Sequence, residues 1–270
     1  MANPMYRQIA EDLREQIESG QLKPGQKLLT ELELREKYGA SRNTVRDAIK
    51  WLMNLGLVET RAGQGTFVVK KIAPYVTTLS GDPGTGEGVT YHFQVSKDGR
   101  TPSSTEPQVE VQKASKEIAA ELRLEEGDPV ISRHEKRFID GTPWSMQTSF
   151  YPREFVLRGA DRLLNADNID EGVVQYLAAT LRLEQSGYRD WITVRAPEAA
   201  EAHFFNLPLD GRVVVFENFR TAFDQAGRPM RVTVTVYPAD RNQFIVEVGD
   251  VPEPDIPEPQ GSQSTEDHKS

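Results

Sequence analysis

The chain has 270 residues, 37% hydrophobic and 27% charged, with 20 glycines and 17 prolines, which suits one large or two modest globular domains and excludes collagen-like or wholly disordered chains. It contains no cysteine, so disulfides, zinc fingers, iron–sulfur clusters and cysteine nucleophiles are excluded, and no apolar run approaches the ~20 residues of a membrane span. The net charge of −9 is unevenly spread: residues 1–72 carry 12 Lys+Arg against 9 Asp+Glu, a balance of +3, whereas the remainder stands at −12.

Within the front part, residues 35–71 hold 8 basic and 3 acidic side chains. An acidic molecule with one basic patch suggests a front end that meets a polyanion, the alternative being a chance fluctuation of surface charge. The start, Met1 to Tyr6, lacks the basic region and apolar core of a secretory signal, so a soluble cytoplasmic protein is the expectation, with no membrane partner.

In chain order, Tyr6, Ile9, Ala10, Leu13 and Ile17 share one face of a first helix, which Gly20 ends before a turn at Lys23-Pro24-Gly25. Thr30 with Glu33 three residues on forms a capping box for a second helix, Leu29 and Leu34 sit where a hydrophobic staple would place them, and Gly39 closes it. After Gly39-Ala40, Ser41 caps a third helix with Val45, Ala48, Ile49 and Leu52 as its buried stripe. Two short helices joined by a Gly-containing turn make a helix-turn-helix. The first turns of the third helix offer Arg42, Asn43 and Arg46, with Lys50 one turn on, where major-groove readers need long donors. Two alternating segments, 57–61 and 66–69, then flank a glycine-rich tip at Ala62-Gly63-Gln64-Gly65, a wing whose glycines allow close approach to a phosphate backbone. Each arginine alone is most simply a solvated surface residue. Their order on one reading surface, with Arg61 at the wing, points to double-stranded DNA.

These blocks carry a resemblance. Leu22-Lys23-Pro24-Gly25, Leu28 through Leu34, Tyr38 through Ala48 and Gly63 through Val68 resemble the winged-helix domain of GntR-type bacterial repressors over about seventy residues. The resemblance implies base and phosphate contacts from Arg42, Thr44 and Arg46, with the wing at Gln64 and Gly65. Many members carry Arg where Leu32 stands, so a DNA contact from that position is lost here.

Residues 80–88 read as a loop; they are no phosphate-binding loop, because no Gly-Lys-Ser/Thr follows and no apolar strand leads in. The segmentation expected is a DNA-binding domain over 1–71, a linker over 72–88, an effector-binding and dimerisation domain over 89–250, and a disordered acidic tail over 251–270. The third segment is α+β with a rough internal repeat: a helix (115–122), a strand from Val130 through Arg137, a turn at Asp140-Gly141 and a strand to Tyr151, then a helix (197–205), a strand from Val213 through Arg220, a turn at Ala226-Gly227 and a strand to Tyr237. Between the copies, Ile169, Val173, Val174, Leu177 and Leu181 trace another amphipathic helix.

This back end resembles the chorismate-lyase-like effector domain, also called UTRA, of the HutC subgroup of those repressors, carried by Leu122…Leu124…Gly127…Val130…Arg137…Asp140-Gly141…Pro143, by Gln147 through Pro152, and by Ala199-Ala200…Leu207…Gly211…Arg220…Gly227…Pro229 and Tyr237. The resemblance implies a small-molecule pocket walled by Arg137, Gln147, Arg231 and Tyr237. Sugar-phosphate-binding relatives have an Arg where Glu135 stands, acids at Gln147 and Arg231, and phosphate-binding Ser and Tyr where Val173 and Gln175 stand. The departures argue for a polar or anionic effector that is not a phosphosugar, with Arg133, Arg137, Arg220 and Arg231 able to receive a carboxylate. The alternative for each arginine is a strand-surface pair with Glu135, Glu217 or Asp224.

His92, His134, His203 and His268 show no metal-ligand spacing and no Gly-x-Ser-x-Gly elbow is present, so no metal, cofactor or catalytic residue is expected. The reading is a ligand-released repressor that binds a palindromic operator as a homodimer. The alternatives are an activator, a dimerisation domain without ligand, and an enzyme-like back domain.

Overall fold

In the computed structural model, residues 4–61, 63–69, 74–79, 83–207 and 213–247 are described. The tail expected from Val251, and Ala62 at the wing tip, lie outside them. The chain forms two compact units, Met1–Ile72 and Ala73–Ser270.

The N-terminal unit holds α1 (Met5–Glu18), α2 (Glu31–Tyr38), α3 (Arg42–Asn54) and a hairpin of β1 (Val58–Arg61) and β2 (Gly65–Val68). The capping box forms: Glu33 N–H donates to Thr30 Oγ1 at 3.3 Å and Thr30 N–H to Glu33 Oε2 at 2.7 Å. Gly39 ends α2 at a φ of 61°, a left-handed conformation that costs glycine little. Ser41 then caps α3, its hydroxyl accepting from Thr44 N–H at 3.1 Å. Ile9, Leu13, Leu34, Val45, Ala48, Leu52 and Val68 close one core. The expected staple is corrected at one end. Gly25 N–H and Leu28 N–H donate to the carbonyls of Val68 and Thr66, so residues 25–28 run along β2 and Leu28 turns inward, leaving Leu29 45% exposed.

The C-terminal unit runs β3 (Tyr75–Thr78), α4 (Glu87–Lys97), β4 (Pro102–Ser104), β5 (Gln108–Lys113), α5 (Lys116–Leu122), β6 (Pro129–Ile139), β7 (Thr142–Pro152), α6 (Glu154–Leu157), a short 3-10 turn (Asp161–Leu164), α7 (Val173–Leu181), β8 (Gln185–Arg195), α8 (Ala199–Phe205), β9 (Val215–Asp224), β10 (Pro229–Pro238) and β11 (Asn242–Ile245). An antiparallel sheet has the order β4-β6-β7-β10-β9-β8, with β5 also on β6. The repeat read in the sequence becomes two hairpins, β6–β7 and β9–β10, whose second strands pair at the centre. Asp140 and Gly141 both take positive φ, 51° and 72°, the backbone a tight two-residue hairpin demands.

Strand alternation sorts the two faces. Val130, Phe150, Val232 and Phe219 pack under α5, and Met146, Val236 and Val215 under α8. The registers Arg133↔Ser149, Glu135↔Gln147↔Thr235↔Asn218 and Thr233↔Arg220↔Asp190 line polar and charged side chains across the opposite face.

The segment expected as a linker is corrected. Its residues Tyr75–Thr78 form β3, parallel to β11, and Glu87 already opens α4. Tyr75 is buried with its ring edge-on to Trp144 at 5.5 Å. Pairing with a strand more than 160 positions away orders a stretch whose own composition gave no such signal.

Candidate functional site

Ser41 fixes the start of α3, and the helix then exposes Arg42, Asn43, Arg46 and Lys50. Thr44 is half-buried and its hydroxyl lies 2.8 Å from Ser41 Oγ, so it shares in the cap. Arg42 Nε sits 3.2 Å and Arg46 Nε 3.5 Å from opposite oxygens of Glu31, the first residue of α2. These are solvent-exposed pairs, cheap to exchange for phosphate or base edges. At the hairpin, Arg61 stacks over Phe67 at 4.4 Å and donates to Glu59 Oε1 at 2.7 and 2.9 Å. Gln64 is exposed, and Gly65 has a φ of 116°. A Cβ on Gly65 would fall 2.6 Å from Lys27 Cε, which the flexible end of Lys27 can relieve, so it is the φ that favours glycine there.

In the C-terminal unit the polar sheet face is the floor of two cavities, of about 810 Å³ and about 60 Å³. The larger, within the size range of small-molecule sites, is lined by Arg133, Arg137, Gln147 and Arg231 from the sheet and by the starts of α4 and α7. The smaller is lined by Tyr91, Trp144, Asn218, Arg220 and Tyr237. Arg137 lines both. The five expected effector residues are thus divided, with Tyr237 on the smaller cavity only. The starts of α4 and α7 lock through glycines at positive φ: a Cβ on Gly86 would meet Val174 Cγ2 at 2.8 Å, and one on Gly172 would meet Val89 Cγ2 at 2.9 Å.

The arginines differ in how much of their donor capacity is used. Arg133, expected to contact the effector, lines the larger cavity but turns its terminal nitrogens to the backbone: its Nη1 donates to the carbonyls of Leu163 at 3.0 Å and Asn165 at 2.7 Å, and its Nη2 to that of Asp167 at 2.8 Å. It holds the loop after the 3-10 turn. Arg220 is clamped by Asp190, its cross-strand neighbour, through two 2.6 Å bonds, and stacks over Tyr188 at 3.7 Å. Arg231 donates to Gln185 Oε1 at 3.0 Å and pairs with Glu87 Oε2 at 2.6 Å. Arg137 is buried and, among the described residues, has a 3.6 Å ion contact to Glu135 and the Tyr91 ring at 5.2 Å.

Glu87 was not foreseen. It is the first residue of α4, it lines both cavities, and it lies 3.4 Å from Arg220 Nη1 as well as 2.6 Å from Arg231. Burial alone would raise its pKa; Arg231 first and Arg220 second hold it down to about 2. Its signal lay in a Gly-rich stretch that reads as loop. Gln147 Oε1 accepts from Thr235 Oγ1 at 3.4 Å, and Ser149 and Thr233 hydroxyls lie 3.1 Å apart. Val173 lines the larger cavity, whereas Gln175 Nε2 is committed to the Gly84 carbonyl at 2.9 Å. Burial, then Arg137, lowers the pKa of His92 at the cavity wall. Among the described residues no His/Cys/Asp/Glu cluster could hold a metal ion, and no helix is long and apolar enough to cross a membrane.

The family model for bacterial regulatory proteins of the gntR family matches residues 5–68, and that for the UTRA domain matches residues 97–243. The chain is 27% identical over 243 residues to the HTH-type transcriptional repressor NagR of Bacillus subtilis (strain 168), covering 90% of this chain and 93% of that protein. Its front end is 46% identical over 72 residues to the mannosyl-D-glycerate transport/metabolism system repressor MngR of Escherichia coli (strain K12), which is 27% of this chain and 30% of that protein. A solved GntR-family transcriptional regulator superposes with a TM-score of 0.62 at 26% identity, over 92% of this chain and 99% of that one. The exposed arginines of α3 therefore lie within the gntR-type domain, and the sheet strands that line the cavities lie within the UTRA domain. The chain is a DNA-binding transcriptional regulator of the gntR family, built from a helix-turn-helix domain and a UTRA domain.

Proposed function

We propose that this regulator is a cytoplasmic, homodimeric repressor released from a palindromic operator by a small polar or anionic effector that is not a phosphosugar. The names of NagR and MngR support repression. Two-fold symmetry of operator and protein is the geometry such heads use. The observation that carries the effector reading is Arg137, a buried guanidinium facing both cavities whose one ion contact among the described residues is a long one, 3.6 Å to Glu135. A desolvated guanidinium with spare donors gains strongly from an incoming anion. Val173 offers no polar group and Gln175 is spent on Gly84, which supports an effector without phosphate. Release follows by linkage, the effector favouring an arrangement of the reading heads that does not fit the operator.

Footprinting upstream of the protein's own gene supplies the operator. A metabolite panel is then screened by thermal shift and by gel-shift release. An active ligand weakens operator binding by about 1–3 kcal/mol, and Arg137→Ala loses that response while keeping its DNA affinity. A normal response in Arg137→Ala displaces the pocket, and activity confined to phosphosugars overturns the ligand class.

A further inference from the structure

We propose that Arg231 and Arg220 form a carboxylate subsite which the chain's own Glu87 occupies, so that the effector carries a carboxylate and enters by displacing Glu87. The inference rests on the effector reading of the cavities and adds to it the group recognised and the residue that competes.

The two acidic partners of this cluster are unlike each other. Asp190 stands directly across from Arg220 in the β8–β9 register and grips it with two 2.6 Å bonds, a pair built into the sheet. Glu87 belongs to no strand. It reaches Arg231 and Arg220 from the first turn of α4, after Gly84 and Gly86, and its backbone neighbour Gly86 has a φ of 77° and offers no side-chain cap. A buried ion pair is by itself weak evidence of a stabilising role, because desolvation can offset its Coulombic gain. Glu87 lines both cavities, and the larger is open enough to admit a small molecule. Among the described residues Arg231 Nε has no hydrogen-bond partner, nor has Asn218 Oδ1 on the smaller cavity. Polar capacity therefore remains around the site after Glu87 is counted.

Charge points the same way. Arg137, Arg220 and Arg231 face Glu135, Asp190 and Glu87, three of each sign. Swinging Glu87 away leaves one uncompensated cation at the cavity wall, which a monovalent carboxylate neutralises. The subsite is also wired to the segment that carries Glu87: Gln185 accepts from Arg231 and donates to the Pro83 carbonyl at 2.7 Å, while Gln175 holds the Gly84 carbonyl. Occupation by an outside anion thereby loosens residues 83–87, which continue the chain from β3.

The test uses the full chain with sodium acetate and sodium propionate as probes, against sodium chloride at equal ionic strength, read by calorimetry and thermal shift. A built-in competitor lowers apparent affinity by the fraction of time it holds the site, so Glu87→Ala binds propionate at least about tenfold more tightly than the wild type, with Glu87→Gln between them. Glu87→Ala combined with Arg231→Met loses the gain. If Glu87→Ala folds only when propionate is present, that rescue is the same result. Equal affinities in all three proteins, a gain that survives Arg231→Met, or an unfolded Glu87→Ala that propionate does not recover overturns the subsite. These readouts involve no DNA, so failure of operator release in the metabolite panel is a separate outcome.

Discussion

In the proposed DNA reading, the Glu31 carboxylate, 3.2 Å from Arg42 Nε and 3.5 Å from Arg46 Nε, competes with the operator for both side chains. Glu31→Gln should therefore tighten operator binding by about 0.5–1 kcal/mol at low salt, an advantage that shrinks as salt screens the exposed pair. Anisotropy titrations at two salt concentrations check this; equal affinity at low salt would remove Glu31 as a competitor. Arg42→Ala and Arg46→Ala should each weaken the operator complex by about 1–3 kcal/mol, as loss of a bidentate base contact does, and unchanged binding in both folded variants would place the reading surface elsewhere. In the C-terminal unit, the Glu87 carboxyl lies below its ordinary 4.5, at about 2, because Arg231 and Arg220 outweigh the effect of burial. A depressed carboxyl stabilises the fold above its unfolded pKa, and that stability drains as pH falls from about 4.5 toward 2. The melting temperature of the wild type should fall more steeply across that window than that of Glu87→Gln; parallel curves would mean the pair contributes nothing to stability. The arginines could be read from the sequence, but their partners could not. Arg133 and Arg137 are four residues apart on one strand face, yet the terminal nitrogens of the first go to carbonyls some thirty residues downstream, while among the described residues the second has a 3.6 Å ion contact to Glu135.

Local signals at the element scale were legible wherever chemistry and backbone act within four residues. The Thr30–Glu33 box, the Ser41 cap and the Asp140-Gly141 turn all depend on neighbours in sequence, and all three form. Ser41→Ala should cost the N-terminal unit about 1 kcal/mol by leaving the Thr44 N–H without its acceptor, while Ser41→Asp should retain most of that stability. Urea unfolding of the two variants decides it, and equal loss in both would mean the hydroxyl acts through Thr44 Oγ1 rather than through the backbone. Elements that depend on distant partners stayed hidden. β3 is four residues long and is ordered by β11, and Leu28 rather than Leu29 enters the core because residues 25–28 lie along β2. The candidate effector site shows both sides of this division. Alternation assigns Arg133, Glu135 and Arg137 to one face of β6, but joining them to Gln147, Arg231 and Arg220 requires registers that no single strand contains.

For the whole molecule, the charge asymmetry between the first 72 residues and the rest coincides with the division into two compact units. The N-terminal unit has its own closed core of α1, α2, α3 and the hairpin, so residues 1–72 should fold alone although a domain of that size is only modestly stable. Each such head exposes Arg42, Arg46, Lys50 and Arg61 toward the half-site that the proposed reading assigns to it. In the proposed homodimer the second head binds from an already tethered position, and its effective concentration raises overall affinity by about 10²–10⁴ over a single head. That gain exists only if both half-sites are present. The full chain should therefore exceed the 1–72 fragment by this factor on the intact palindrome and by far less on DNA bearing one half-site. Gel-shift titrations of both proteins on both DNAs at one salt concentration decide it. A fragment as tight as the full chain on the palindrome would mean that tethering does not set affinity, and a full-chain advantage that persists on the single half-site would locate further DNA contacts outside the first 72 residues.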